Sequence, residues 1–293
     1  MKDQLGDRMK DFYEDRTRYK LARRTNTIIR IDGKAFHTYT KGLNRPFDQG
    51  LMEDMNKTTE YLCQNIQGAK FGFVQSDEIS ILLTDYDDIT THAWFDGNLQ
   101  KMASIAASLA TAKFNQLRMA RFAKNNIDPM ASLASSMMDQ TMSPGGIENF
   151  KLAMFDARVF QIPYQEEVVN YFIWRQQDCT RNSISSVAQS LYSHKELEGK
   201  KTDEMQEMIF QKGTNWNDYT PREKRGALIR KVEKKFVRKE AVVVPSEKTV
   251  VIPESNTYTR NVWEADPETP IFSQNKDYLR TLIPRSEIIR EIL

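Results

Sequence analysis

A chain of 293 residues is long enough for one large domain or two ordinary ones, with a substantial buried core. Its 42 lysines and arginines face 40 aspartates and glutamates, a net charge of +2, so whole-chain charge does not mark a nucleic-acid binder and any such role rests on local patches. Two cysteines, Cys63 and Cys179, exclude a disulfide framework, and no apolar run is long enough to span a bilayer.

The opening MKDQLGDRMKDFYEDR has no apolar signal core, so a cytoplasmic protein with no membrane partner is expected. His37, His92 and His194 lie far apart, and neither they nor the cysteines fall at zinc-site spacing. There is no GxxxxGK[ST], GxGxxG or GxSxG signature. Chemistry in this chain has to use carboxylates.

In chain order, TIIRI (27–31) is rich in β-branched residues and reads as a strand that stops at the Asp32-Gly33 turn pair. FDQGLMEDMNKTTEYLCQNI then places Asp48 as the N-cap of a helix with Leu51, Met55, Thr59 and Leu62 on one face. FGFVQ and ISILLT, separated by SDE, read as a tight hairpin with its carboxylates at the tip. An Ala-rich helix follows, with Met102, Ile105, Leu109, Ala112 and Leu117 as its apolar stripe, and FKLAMFDARVFQIP reads as a further strand. The order is βαββαβ, which predicts an α+β, ferredoxin-like sheet of the split-βαβ kind with helices on one face.

After Tyr164 the pattern turns mostly helical, with an interruption expected near Cys179 to Ser183 and a shorter helix in TDEMQEMIFQ. A basic segment, a valine-rich strand AVVVP and a Pro-punctuated tail complete the chain. Two packed parts are expected, a catalytic palm over 1–150 and a helical and β C-terminal part over 151–293. Trp174, Trp216 and Cys179 are read as core.

If the first strand neighbours the hairpin, Asp32, Asp77 and Glu78 converge. Carboxylates held close repel unless cations bind between them, and oxygen-only ligands select Mg²⁺ or Mn²⁺. Gly33 presents open backbone beside them, and Lys34, His37, Lys41 and Arg45 follow. On the residues alone, Asp32-Gly33 and Ser76-Asp77-Glu78 read as well as solvated turns as they do as a nucleotide site.

RIDGKAFHTYTKG, QSDEISILL, WRQQDC and GTNWNDYTPREKRG together resemble the tRNA-His guanylyltransferase family, over about residues 5 to 240 in consistent order. The resemblance implies a polymerase- or cyclase-type palm in a homotetramer. It implies two Mg²⁺ ions on Asp32 and Asp77 with the Gly33 carbonyl, assistance from Glu78, and triphosphate contacts from Asp32, Gly33, Lys34, Ala35, Phe36, His37, Arg45, Ser76 and Asp77. It also implies ATP and GTP as substrates and template-dependent 3′-to-5′ addition to tRNA 5′ ends through an adenylylated 5′ phosphate. A nucleotidyl cyclase or a non-catalytic tRNA-binding module are the alternatives.

Eukaryotic members carry His-Ile-Asn-Asn after W-R-x-x-D-C, where this sequence has Thr180-Arg181-Asn182-Ser183. That departure points away from obligatory G−1 addition to tRNA-His and toward the bacterial and archaeal guanylyltransferase-like proteins that resemble 5′-end repair enzymes. Met205-Gln206-Glu207 also replaces a Lys-Asn-Glu run of many relatives, so one triphosphate contact is expected to be absent or moved. Candidate tRNA contacts are Arg23, Arg24, Arg181, Asn182, Arg222, Arg225, Arg230 and Lys231.

Overall fold

The structure, a computed structural model, describes residues 4–126, 150–237 and 257–284. The Met- and Ser-rich stretch before residue 150, the AVVVP strand, Arg238 and Lys239 lie outside the described residues. Two short helices, α1 (Gln4–Met9) and α2 (Phe36–Tyr39), flank β1 (Asn26–Gly33). Then come α3 (Gln49–Asn65), β2 (Ala69–Gln75), β3 (Glu78–Leu83), α4 (Leu99–Asn126), β4 (Phe155–Ile162) and α5 (Gln165–Leu191). The rest is α6 (His194–Leu197), α7 (Thr202–Gln211), α8 (Pro221–Arg225), β5 (Ala227–Val237), β6 (Thr257–Ala265) and α9 (Lys276–Arg280).

The six strands form one sheet in the order β4-β1-β3-β2-β5-β6, with every neighbouring pair antiparallel. Its first four strands have the ferredoxin-like arrangement expected from the βαββαβ order. The palm sheet takes in β4 past residue 150, and β5 and β6 continue the same sheet.

Side chains alternate across this sheet, and both sides are covered. Ile29, Ile31, Ile79 and Ile81 pack with Met55, Leu62 and Phe114 of α3 and α4. Ile28, Phe71, Phe73 and Leu82 pack with Val168, Val169 and Phe172 of α5 and with Phe272 and Leu279. The two helices of the βαββαβ unit lie on one face as expected, and α5, from the C-terminal part, covers the other. With both faces buried, a strand reads as a near-continuous apolar run, as TIIRI does apart from Arg30, rather than as an alternation.

Asp48 caps α3 by accepting a 2.7 Å hydrogen bond from the Leu51 N–H. In α4 the buried stripe is Met102, Ala106, Ala110 and Phe114, whereas the expected Ala112 is exposed. α5 runs unbroken through Cys179 to Ser183. Thr180 Oγ1 donates to the Gln176 carbonyl at 3.0 Å, so its hydroxyl is satisfied inside the helix instead of breaking it. Cys179 is buried as expected, but Trp174 is 48% exposed, its ring lying 4.3 Å from the Arg175 guanidinium.

Candidate active site

β1 carries Asp32 and Gly33 as its last paired residues, so they end the strand rather than form its turn; Asp32 stands opposite Glu78 of β3 and Asp156 of β4. The β2–β3 connection is Ser76-Asp77, with Ser76 at φ 44. This puts Asp77 at the tip of the neighbouring hairpin, where the charge of Asp32 reaches it. Burial raises the Asp77 carboxyl above its ordinary value; hydrogen bonds from Ser76 and its own backbone oppose this, and Asp32 and Glu78 add to it. Among the described residues neither Asp32 nor Asp77 has an ion-pair partner.

Glu78 lies beside them, opposite Asp32, but its carboxylate is already paired. Its carboxylate is buried and held by Arg175, through Nε at 2.7 Å and Nη2 at 2.8 Å, and by Arg30 Nη2 at 2.5 Å. Gln75 Nε2 adds a donor at 3.2 Å. Arg30 and Glu78 share a sheet face because both sit in step with Asp32, and α5 lays Arg175 across that face. The resemblance placed Glu78 beside the metals as a helper, whereas its lone pairs are already engaged by two guanidinium groups. In keeping with this, no group of three or more His, Cys, Asp or Glu side chains converges among the described residues.

The segment after Gly33 divides its tasks. Lys34 N donates to the Met154 carbonyl at 2.8 Å, and Ala35, in the left-handed region at φ 53, starts the turn of α2. Lys34, Ala35 and His37 are exposed, as are Arg45 and Ser76. Phe36 is buried against Tyr39, Phe114 and Phe155, so its side chain serves the core and not a ligand. A Cβ added at Gly33 would come within 2.2 Å of the Phe36 ring. The glycine is needed for that ring as much as for open backbone. Gly33→Ala is therefore expected to destabilise the protein by about 1–3 kcal/mol through overpacking, read as a lowered urea midpoint with an unchanged slope.

Next to Ser76 lies a cavity of about 130 Å³, walled by Phe47, Asp48 and Leu51 at the start of α3, by Cys179, Asn182 and Ser183 of α5, and by Arg222 and Gln75. Arg222 Nη2 and Gln75 Oε1 are buried without a hydrogen-bond partner, and no carboxylate pairs with Arg222 among the described residues. Burial pushes the Arg222 guanidinium down to about 10. A buried donor and a buried acceptor left open in one wall fit a polar ligand better than an empty core.

Several expected RNA contacts are engaged elsewhere. Arg23 bonds Asp85 and the Thr91 carbonyl, and Arg24 bonds the Ile89 carbonyl, so both pin the 85–91 loop. Arg230 is paired with Asp266, and Arg222 is turned inward. Arg181, Asn182, Arg225 and Lys231 remain on the surface or in clefts.

Residues 6–163 match the family model described as Thg1: tRNAHis guanylyltransferase, more than half of the chain. The chain belongs to the tRNAHis guanylyltransferase family. Two solved structures of a bacterial Thg1-like protein of this family, in complex with ATP and with GTP, are 41% identical and cover 96% of this chain and 99% of theirs. Their TM-scores are 0.74 and 0.69. An uncharacterized protein of Acanthamoeba polyphaga mimivirus is 28% identical over 240 residues, 78% of this chain and 77% of its own. The family model ends at the close of β4, so its match takes in every strand that positions Asp32 and Asp77.

Sequence reasoning missed Arg30 and Arg175. The only available signal was a lone arginine inside an apolar strand and another in WRQQDC. It also missed Gln75, whose open acceptor nothing in the sequence marks.

Proposed function

We propose that this chain adds nucleotides to the 5′ end of tRNA in the 3′-to-5′ direction, restoring 5′-truncated tRNA by template pairing. The observation that carries the reading is the Asp32–Asp77 pair, two half-buried carboxylates with no ion-pair partner among the described residues, beside a cavity that shares Ser76. Family membership and the ATP- and GTP-bound relatives support nucleoside triphosphates as substrates.

Two carboxylates rather than three suit Mg²⁺, which is held by one or two protein carboxylates together with substrate phosphates rather than by an all-protein cage. Asp32 and Asp77, with the Gly33 carbonyl, are the residues that hold it. When bound it supplies charge neutralisation and a polarised phosphoryl group. The protein's share is positional. The exposed turn from Lys34 to His37, with Arg45 and Ser76, faces the triphosphate, the cavity receives the rest of the nucleotide, and Lys34 and Arg45 offset negative charge. Glu78 acts by fixing the strand from which Asp32 projects. An ATP-activated 5′ phosphate is then attacked by the 3′-hydroxyl of the incoming nucleotide, with pyrophosphate and AMP as leaving groups of the two steps.

The part after β4, with α5 to α8, is assigned to tRNA contact, and the working assembly to a homotetramer, which sedimentation would check. None of the described helices is long and apolar enough to cross a membrane. The test is incubation of a 5′-truncated, 5′-phosphorylated tRNA with ATP, GTP and Mg²⁺, using matched and mismatched templates opposite the missing base. Lengthening by the matched nucleotide is expected. No lengthening by the wild-type protein sinks the reading, and G addition regardless of template replaces repair with G−1 transfer.

A further inference from the structure

A second cleft, of about 430 Å³, lies beside the first cavity. It is formed by Thr180 and Arg181 of α5, by Trp216, and by Lys224 and Arg225 of α8, whereas neighbouring residues of the same two helices wall the cavity near Ser76. Trp216 Nε1 donates to Ser183 Oγ at 2.9 Å, so one hydrogen bond joins the two walls. The clefts are thus about one helix diameter apart, on the order of 10 Å.

The charges in this cleft do not balance. Asp178 is the acid on its α5 side, and its two oxygens are already taken by Arg175 at 2.7 Å and Arg181 at 2.9 Å. Glu223 of α8 is turned away, accepting from Thr220 and Gln49. Lys224 donates only to the Asn217 carbonyl, and Arg225 has no carboxylate partner among the described residues. Burial pulls the Lys224 ammonium below its ordinary value and Arg225 pulls it further, while the Asp218 carboxylate partly opposes both. Two adjacent cations, Arg225 without a carboxylate partner and Lys224 only partly offset by Asp218 and by the Trp216 ring 5.7 Å away, call for an anion with extended reach.

We propose that this cleft binds a backbone phosphate of the RNA strand whose 5′ end is extended, with Arg225 and Lys224 as the contacts. The proposal rests on reading the chain as an RNA 5′-end polymerase. The RNA is favoured over a second nucleotide because the triphosphate is already assigned to the exposed Lys34, His37 and Arg45, none of which lines this cleft. Such contacts add affinity without reading bases, and the affinity falls with salt.

Arg225→Gln and the charge-keeping Arg225→Lys are compared with wild type by fluorescence anisotropy on a 5′-truncated tRNA over a range of salt, and by steady-state addition. Arg225→Gln is expected to weaken RNA binding about 3- to 10-fold and to reduce the log–log salt slope by about 1. The Lys variant should recover most of both, and kcat at saturating RNA and KM for ATP should not move. Unchanged RNA affinity overturns the assignment. So does a raised KM for ATP with RNA affinity intact, which gives the cleft to a triphosphate, or a Lys variant as weak as Gln, which makes Arg225 structural. Wild-type protein that binds RNA without extending it removes the polymerase reading while the binding comparison still decides the cleft; wild-type protein that binds no RNA removes both.

Discussion

Asp32→Ala and Asp77→Ala should each slow nucleotide addition by about 10³-fold or more in single-turnover assays, with tRNA affinity unchanged or slightly tighter. The split follows from what the two carboxylates do. They carry negative charge at the end of β1 and at the hairpin tip, where they repel RNA phosphates and each other, and in the proposed reaction they would serve the metal and the reacting groups alone. Asp77→Asn provides a second readout that a folding defect could not imitate. It removes a carboxylate charge that burial, and secondarily Asp32 and Glu78, disfavours, so the metal-free variant should be more stable than wild type, by about 0.2–1 kcal/mol, while it is inactive. A variant at either position that keeps full activity would remove these residues from the site, and an Asp77→Asn protein less stable than wild type would contradict the repulsion.

The sheet and half of this site could be read from the chain because local chemistry and topology agree there. TIIRI, the SDE hairpin and the Asp48 cap each announce themselves within a few residues, and the βαββαβ order alone makes β1 and β3 neighbours. That adjacency brings Asp32 to Asp77. What could not be read depends on which way a side chain turns once both faces of the sheet are covered. Glu78 and Asp77 are adjacent in sequence and look equivalent, yet strand pairing sends Glu78 under α5 while Asp77 stays at the tip. Phe36 lies among exposed residues of the expected triphosphate turn, and its ring turns into the core over Gly33. Polar residues at Thr180 to Ser183 suggested a broken helix because their ability to bond back to a carbonyl one turn earlier leaves no trace in composition.

The pair that was hidden most completely gives the largest expected effect on stability. Arg175 and Glu78 lie 97 residues apart, and no periodicity links them. Their side chains are only 4% and 8% exposed, and removing either takes away a bidentate partner in the interior, leaving Glu78 with Arg30 and Gln75 alone or Arg175 with Asp178 alone. Arg175→Met should cost about 3–5 kcal/mol in urea unfolding, far more than the loss of a surface ion pair. Combining it with Glu78→Leu should recover a large part of that loss, because no buried carboxylate is then left without its bidentate partner; Arg30, at 22% exposure, can turn toward water. If the double variant instead loses the sum of the two single losses, the pair is not the coupled unit proposed and its side chains matter through packing alone. The recovered double variant also separates the roles of the two neighbouring acids. If Glu78 acts through the placement of β1 and not at the reacting atoms, as proposed, the refolded double variant should keep addition well above that of Asp77→Ala.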